Sequence, residues 1–328
     1  MKRLMLAAGG ALLLSVSPLH AAPLKVVTSI SILADMVHQL TGGNATVTSL
    51  VPPNGDAHSF EPSPADAKAL AEADLVVVNG LALETWMHRL TEASGYKGPV
   101  IVASKGVDPL VFTPGHMEHH ATSAGHEHAH EHEHEHEHDE DGHHETGDHH
   151  HGNYDPHAWQ DLANGKIYVG NIEAALEKAD PQHADIYATA ARNYIYEINA
   201  LDKWVRAEIG KVPAAKRKVI TSHDAFGYFG AAYGVTFAAP EGINTEAEVN
   251  ARDLARLVDQ IKEEKIKALF IENMSDPRMM QTIARETGAE QGGELYSDAL
   301  SPPGGEAPTY LDMFRVNVPK LVAAMEKN

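Results

Sequence analysis

The chain has 328 residues and a formal charge of −20, and residues 106–165 hold fourteen Asp and Glu with no Lys or Arg. The remainder is only mildly acidic and carries no basic stripe, which excludes a nucleic-acid binder. There is no cysteine, so disulfides, thiolate metal sites, cysteine nucleophiles and a lipidated N-terminal cysteine are all excluded.

Residues 1–21 read as a cleavable export signal. Met1-Lys2-Arg3 is a basic start, residues 4–16 are apolar, and Ser17-Pro18-Leu19-His20-Ala21 supplies small residues before a cut after Ala21. The apolar run of about thirteen residues is short of the ~20 that a membrane-spanning helix needs. The expected location is the periplasm of a two-membrane bacterium, as a monomer with no direct membrane anchor.

Strand and helix patterns then alternate, as in a parallel α/β fold. Strands are predicted at 25–29, 46–51, 75–78 and 100–103, and helices at 30–40, 64–73 and 83–93. Lys-Val-Ile-Thr-Ser at 218–222 echoes Lys-Val-Val-Thr-Ser at 25–29 and opens a second series. Its strands are predicted at 218–222, 235–238 and 268–272, with another ending at 294–296. Its helices are predicted at 226–233, 246–264 and 278–287. The expected class is α/β, two similar four-stranded parallel lobes with a metal site in the cleft between them. The predicted divisions are a first lobe over 22–179, a linking helix over 180–211 and a second lobe over 212–328.

The linking helix is expected to be capped by Asp180, with Pro181 in its first turn. Its apolar stripe runs through Ile186, Ala190, Tyr194, Ile198, Leu201, Val205 and Ile209. About thirty residues at 1.5 Å each span ~45 Å, long enough to run along both lobes and hold them rigidly. Any movement is then expected to be local, in the loops, rather than a wide hinge.

Fifteen histidines fall within residues 116–151, and His126, His128, His130, His132, His134, His136 and His138 sit among acids. Neutral imidazole ligates borderline divalent metals and carboxylates draw cations in. With almost nothing apolar to offset ordering, residues 114–152 are expected to be a disordered accessory loop that collects metal weakly. A solvated charge run is the bland alternative, but it would need no histidine.

Six further histidines follow the signal: His38, His58, His88, His157, His183 and His223. His38, His88 and His183 lie within predicted helices and read as surface residues. His58 follows the second strand and His223 the echoed strand, both where open α/β sheets bind ligands. Asp298 follows the last strand, and His157 lies between the histidine-rich tract and the next helix. Each alone could be a helix cap. Together, three imidazoles and one carboxylate form a four-coordinate set suited to Zn2+.

Several segments carry a resemblance over nearly the whole chain beyond the signal. They are Gly55-Asp56-Ala57-His58-Ser59-Phe60-Glu61-Pro62, Asp155-Pro156-His157-Ala158-Trp159, Ser222-His223-Asp224-Ala225-Phe226, Glu241-Gly242-Ile243-Asn244-Thr245-Glu246 and Tyr296-Ser297-Asp298-Ala299-Leu300. With these the chain resembles the zinc- and manganese-type solute-binding proteins of ABC importers, a family with a rigid linking helix. The resemblance puts the metal ligands at His58, His157, His223 and Asp298. It departs at Ala57, where the family often has proline. Manganese-type members usually have glutamate at the third ligand position, so His223 and the acidic histidine tract favour zinc.

The implied function is capture of Zn2+, the transported ligand, and its delivery to the permease of a zinc importer. A periplasmic zinc chaperone is a further partner compatible with this reading. Two other readings stay open: a manganese or other divalent-metal binding protein, and a zinc buffer centred on the histidine tract. A zinc hydrolase is a remote third, since four protein ligands leave no open position for water. The chain is read as no enzyme.

Overall fold

A computed structural model describes residues 22–111, 154–245 and 249–328. The expected export signal and histidine-rich loop lie outside these residues.

The first lobe runs β1 (Leu24–Thr28), α1 (Ser31–Thr41), β2 (Ala45–Ser49), α2 (Pro64–Ala71), β3 (Leu75–Val78), α3 (Met87–Ser94) and β4 (Val100–Val102). Helices α4 (Leu162–Ala179) and α5 (Ala184–Gly210) follow. The second lobe is β5 (Lys218–Ile220), α6 (Gly227–Tyr233), β6 (Thr236–Ala238), α7 (Ala251–Glu264), β7 (Ala268–Glu272), α8 (Pro277–Thr287), β8 (Glu290–Leu295) and α9 (Tyr310–Met325). Each lobe has one parallel four-stranded sheet, ordered β2-β1-β3-β4 and β6-β5-β7-β8.

Local chemistry explains the element ends. Ser63 and Asp66 form a reciprocal capping box on α2, with Pro64 in its first turn. Helix α1 stops at Gly42, whose left-handed φ of 55° suits a residue without Cβ. β3 reads Leu-Val-Val-Val and is buried along its whole length, as expected for an inner parallel strand.

Helix α5 packs on α1 and α4 from the first lobe and on α6 and α9 from the second. One continuous core contains Val27, Leu33 and Trp159 as well as Ile198, Phe229 and Phe314. The lobes therefore share buried apolar surface. A smaller cluster of Leu257, Ile261, Leu269 and Ile283 fills the outer layer of the second lobe.

The helix differs from expectation at its start. Asp180 does not cap it: residues 181–183 form a 3-10 turn and α5 begins at Ala184. The Asp180 carboxylate instead accepts from Tyr187 Oη at 2.7 Å and lies 2.6 Å from His183 Nδ1. His183 is accordingly half-buried, while His38 and His88 are exposed. The buried stripe starts with Tyr187 and Ala191, whereas Ile186 is 46% exposed. Successive steps of four drift by about 40° on a helix of 3.6 residues per turn, so extrapolating backwards leaves the buried face.

Other boundaries shift as well. Helix α3 starts at Met87, after a turn with left-handed Leu81 and Ala82. Helix α7 starts at Ala251, capped by the Asn250 side chain. Helix α9 is absent from the sequence reading. It contains Pro319, which argues against a helix locally, yet its other face is almost wholly buried.

Candidate metal centre

His58 lies in the loop after β2. The loop is fixed by Trp86 Nε1, which donates to Ala57 O at 2.9 Å, and by Phe60 packing edge-on against Trp86. His157 stands just before a short turn over residues 158–160. Its segment is held by Asn79 Nδ2, which donates to Pro156 O at 2.9 Å. His223 follows β5, with Thr221 Oγ1 donating to its carbonyl at 3.1 Å. Asp298 follows β8, where Trp159 Nε1 and Gln160 Nε2 both donate to Ser297 O, at 2.9 and 3.0 Å. Parallel strands place all four loops at the carboxyl ends of the two sheets, where the lobes meet.

The four side chains come together. One potential ligand atom from each lies within 4.8 Å of all the others. His58 Nε2 is 3.2 Å from His157 Nε2 and 3.2 Å from Asp298 Oδ2. Asp298 Oδ1 is 3.5 Å from His157 Nε2, and Oδ2 is 3.2 Å from His223 Nε2. His157, His223 and Asp298 are fully buried and His58 is 8% exposed. The quartet is thus enclosed between the lobes rather than lining an open cleft. His58 is its most accessible member.

Both Asp298 oxygens and His223 Nε2 lack an aligned hydrogen bond among the described residues. Buried polar atoms without partners are costly, and a cation at their common focus would satisfy all of them. The loop histidines from His126 to His138 lie outside the described residues.

Carboxylates surround the imidazoles. Asp155 Oδ1 accepts from the His157 backbone N–H at 2.9 Å and lies 2.7 Å from its Nδ1. Glu272 Oε1 accepts from the His223 N–H at 2.9 Å, and Oε2 is 2.7 Å from its Nδ1. Asp56 Oδ1 accepts from the His58 N–H at 2.8 Å, while its Oδ2 accepts from Ser59 Oγ and Thr245 Oγ1 at 2.8 and 2.7 Å.

Asp56, Asp155 and Thr245 entered the sequence reasoning only as parts of motifs, and Glu272 in none. An Asp two residues before a His occurs at both Asp56-Ala57-His58 and Asp155-Pro156-His157, a signal for the first pair of carboxylates. Glu272, 49 residues from His223, has no such signal.

These charges set the proton affinities. Burial by itself would lower the His157 imidazole, but the Asp298 and Asp155 carboxylates outweigh it and raise it to about 9. His223 is likewise raised, with burial overcome by Glu272 and Asp298. Burial would raise Asp298, but His157 and His223 hold it well below the ordinary carboxylate range. Burial, aided by Asp155 and opposed by His223, lifts neighbouring Asp224 to about 6. The pocket stabilises positive charge at its centre, which protons or a divalent cation can supply.

Residues 26–324 match the family described as zinc-uptake complex component A, periplasmic. The manganese-binding lipoprotein MntA of Halalkalibacterium halodurans is 31% identical over 304 residues, 93% of this chain and 89% of that protein. The manganese ABC transporter substrate-binding lipoprotein PsaA of Streptococcus pneumoniae serotype 4 is 31% identical over 310 residues, 93% of this chain and 90% of its own. Among solved structures, the Mn-bound periplasmic metal binding protein of Candidatus Liberibacter asiaticus has a TM-score of 0.74 at 30% identity, covering 92% of this chain and 99% of that one. The periplasmic zinc binding protein TroA of Treponema pallidum has a TM-score of 0.76 at 26% identity, covering 93% and 99%. The relatives are substrate-binding components of transporters, so this chain is a binding protein and not an enzyme. It belongs to the zinc-uptake component A family, the periplasmic metal-binding proteins that serve ABC importers.

Proposed function

We propose that this protein captures Zn2+ in the periplasm and delivers it to the membrane permease of a zinc importer, with His58, His157, His223 and Asp298 as the ligands. One observation carries the reading: three imidazole nitrogens and one carboxylate converge, buried, all within 4.8 Å and four of the six pairs at 3.2 to 3.5 Å. A tetrahedron with metal–ligand bonds of about 2.0–2.1 Å has edges of roughly 3.3 Å, close to those separations. The nitrogen-rich donor set favours zinc over harder cations.

The names of the relatives favour a second reading, Mn2+ as the cargo. Competition titration of the metal-free protein against a chromophoric chelator, with each metal in turn, decides between them. Zinc is expected to bind the tighter by orders of magnitude; equal affinities, or manganese ahead, would overturn the zinc assignment. His223→Ala should abolish the tight site, and a variant that holds zinc like the parent would remove these residues from the ligand set.

The histidine-rich tract is assigned an accessory role, weak multi-site collection that feeds the buried quartet. Deletion of residues 116–151 should leave one tight zinc site. Loss of that site would favour the zinc-buffer reading instead. Export by a cleavable signal without a lipid anchor completes the proposal, since the chain has no cysteine to carry lipid.

A further inference from the structure

Glu272 belongs to no ligand set, yet it grips His223 twice. It is the last residue of β7 and 1% exposed. Oε1 takes the His223 backbone N–H at 2.9 Å and Oε2 stands 2.7 Å from His223 Nδ1. Its own backbone N–H donates to Ser222 Oγ at 3.2 Å, so Glu272 is tied to Ser222 as well as to His223. The His223 imidazole is the one basic group set against Oε2 among the described residues, close but outside ideal hydrogen-bond alignment, and no Lys or Arg among them pairs with Glu272. A buried carboxylate is expensive unless a cationic or proton-donating partner faces it. Here that partner is the imidazole.

A neutral imidazole carries one ring proton, and the hydrogen bond at one nitrogen decides which nitrogen is left to bind a metal. We propose that Glu272 is a positioning residue for metal capture: it holds the proton of His223 at Nδ1, so that Nε2 presents its lone pair to the ion. The inference rests on the reading of the buried quartet as the metal site. Nε2 does point that way, 3.2 Å from Asp298 Oδ2. Asp155 makes the same double contact with His157 through a single oxygen, at 2.9 and 2.7 Å. Asp56 does not do so for His58, since its second oxygen turns to Ser59 and Thr245. Two imidazoles are therefore held from behind, and the third sits on the more accessible loop.

Glu272→Gln tests the role with little change of shape. If the amide oxygen accepts the His223 N–H, the amide NH2 faces Nδ1 and demands a lone pair there. The ring proton then moves to Nε2, where the ion should be. If the amide flips, two donors confront each other at the backbone. Zinc affinity of the full chain, read by chelator competition, is expected to fall by about 10- to 100-fold, the usual cost of losing an outer-shell partner.

Glu84 is the control in the other lobe. It is half-buried and accepts from Ser29 Oγ and the backbone N–H groups of Asn79 and Gly80, with no imidazole in reach of those bonds. Glu84→Gln should lower the melting temperature and cost clearly less zinc affinity than Glu272→Gln, because Glu84 reaches the His157 segment only through the backbone of Asn79. In the zinc-loaded parent, long-range 1H–15N spectra should show His223 protonated at Nδ1 and coordinated through Nε2; this readout needs no variant to fold.

Coordination through Nδ1, an unchanged affinity in Glu272→Gln, or an equal loss in Glu84→Gln would each overturn the role. Unchanged affinity in Glu272→Gln beside a large loss in His223→Ala would reject the positioning role alone. Unchanged affinity in His223→Ala would reject the site.

Discussion

The two lobes have the same strand order and the same Thr-Ser ending on the central strand, yet they use it differently. After β1, Ser29 is followed by Ile30, wholly buried in the core. After β5, Ser222 is followed by His223, equally buried but turned to the quartet. The acids beside these serines follow suit. Glu84 ties Ser29 to the turn after β3, whereas Glu272, on the strand equivalent to β3, faces an imidazole. A parallel sheet supplies the same edge twice. Which edge becomes a ligand platform depends on one side chain and the carboxylate behind it.

The largest expected break in this comparison comes from the second lobe. Asp298→Ala removes the only carboxylate of the quartet and leaves the three Nε2 atoms without an anionic fourth donor, the remaining carboxylates Asp155 and Glu272 lying on the Nδ1 side of His157 and His223. Zinc affinity should fall by more than the ~100-fold cost of an outer-shell loss, read by competition titration. A loss below tenfold would show that the second lobe is not the platform.

The linking helix should divide sharply along its faces. Ile198→Ala, in the shared core, should cost about 2–5 kcal/mol of stability in denaturant unfolding. Ile186→Ala, on the exposed side, should stay within about 0.5 kcal/mol. Equal effects would return the stripe to the register expected from steps of four.

The His58 loop offers a smaller test. Thr245→Val removes the hydroxyl that reaches Asp56 Oδ2 from the second lobe at 2.7 Å. Zinc release in stopped flow should quicken, by roughly the tenfold that loss of ~1 kcal/mol or slightly more implies. The melting temperature of the metal-free protein should barely move.

The smallest effect is with pH. The folded-state value of His157 is raised to about 9, so its stabilising protonation is complete below the unfolded value of 6.5 and lost as pH rises through about 9. The metal-free protein should therefore melt at lower temperature at pH 9 than at pH 6.5. Zinc affinity should move the other way, because the metal no longer competes with that proton. Asp155→Asn should flatten the first trend, since Asp155 is one of the two carboxylates that raise His157.

Much of this protein is written locally. The alternation of β-branched runs with helical segments pointed to both lobes, and the positions of His58, His223 and Asp298 beyond strand ends, with His157 between the histidine-rich tract and the next helix, singled them out without coordinates. Alternation works because a parallel strand and its crossover helix each have a distinct period. Helix α9 escaped because Pro319 opposes helix locally and burial of Tyr310, Phe314, Val318 and Leu321 outweighs it. The start of α5 escaped because Asp180 bonds Tyr187 rather than the helix end.

Class of fold and donor types were legible in the chain, since residue period and side-chain chemistry are properties of short segments. That the four donors meet within 4.8 Å, that they are buried, and that Glu272 stands behind His223 came from the packing of the two lobes. Those facts depend on how two sheets dock through α5 and a shared core. Contacts such as His223 with Glu272, 49 positions apart, and His58 with Asp298, far further apart, leave no mark on local pattern.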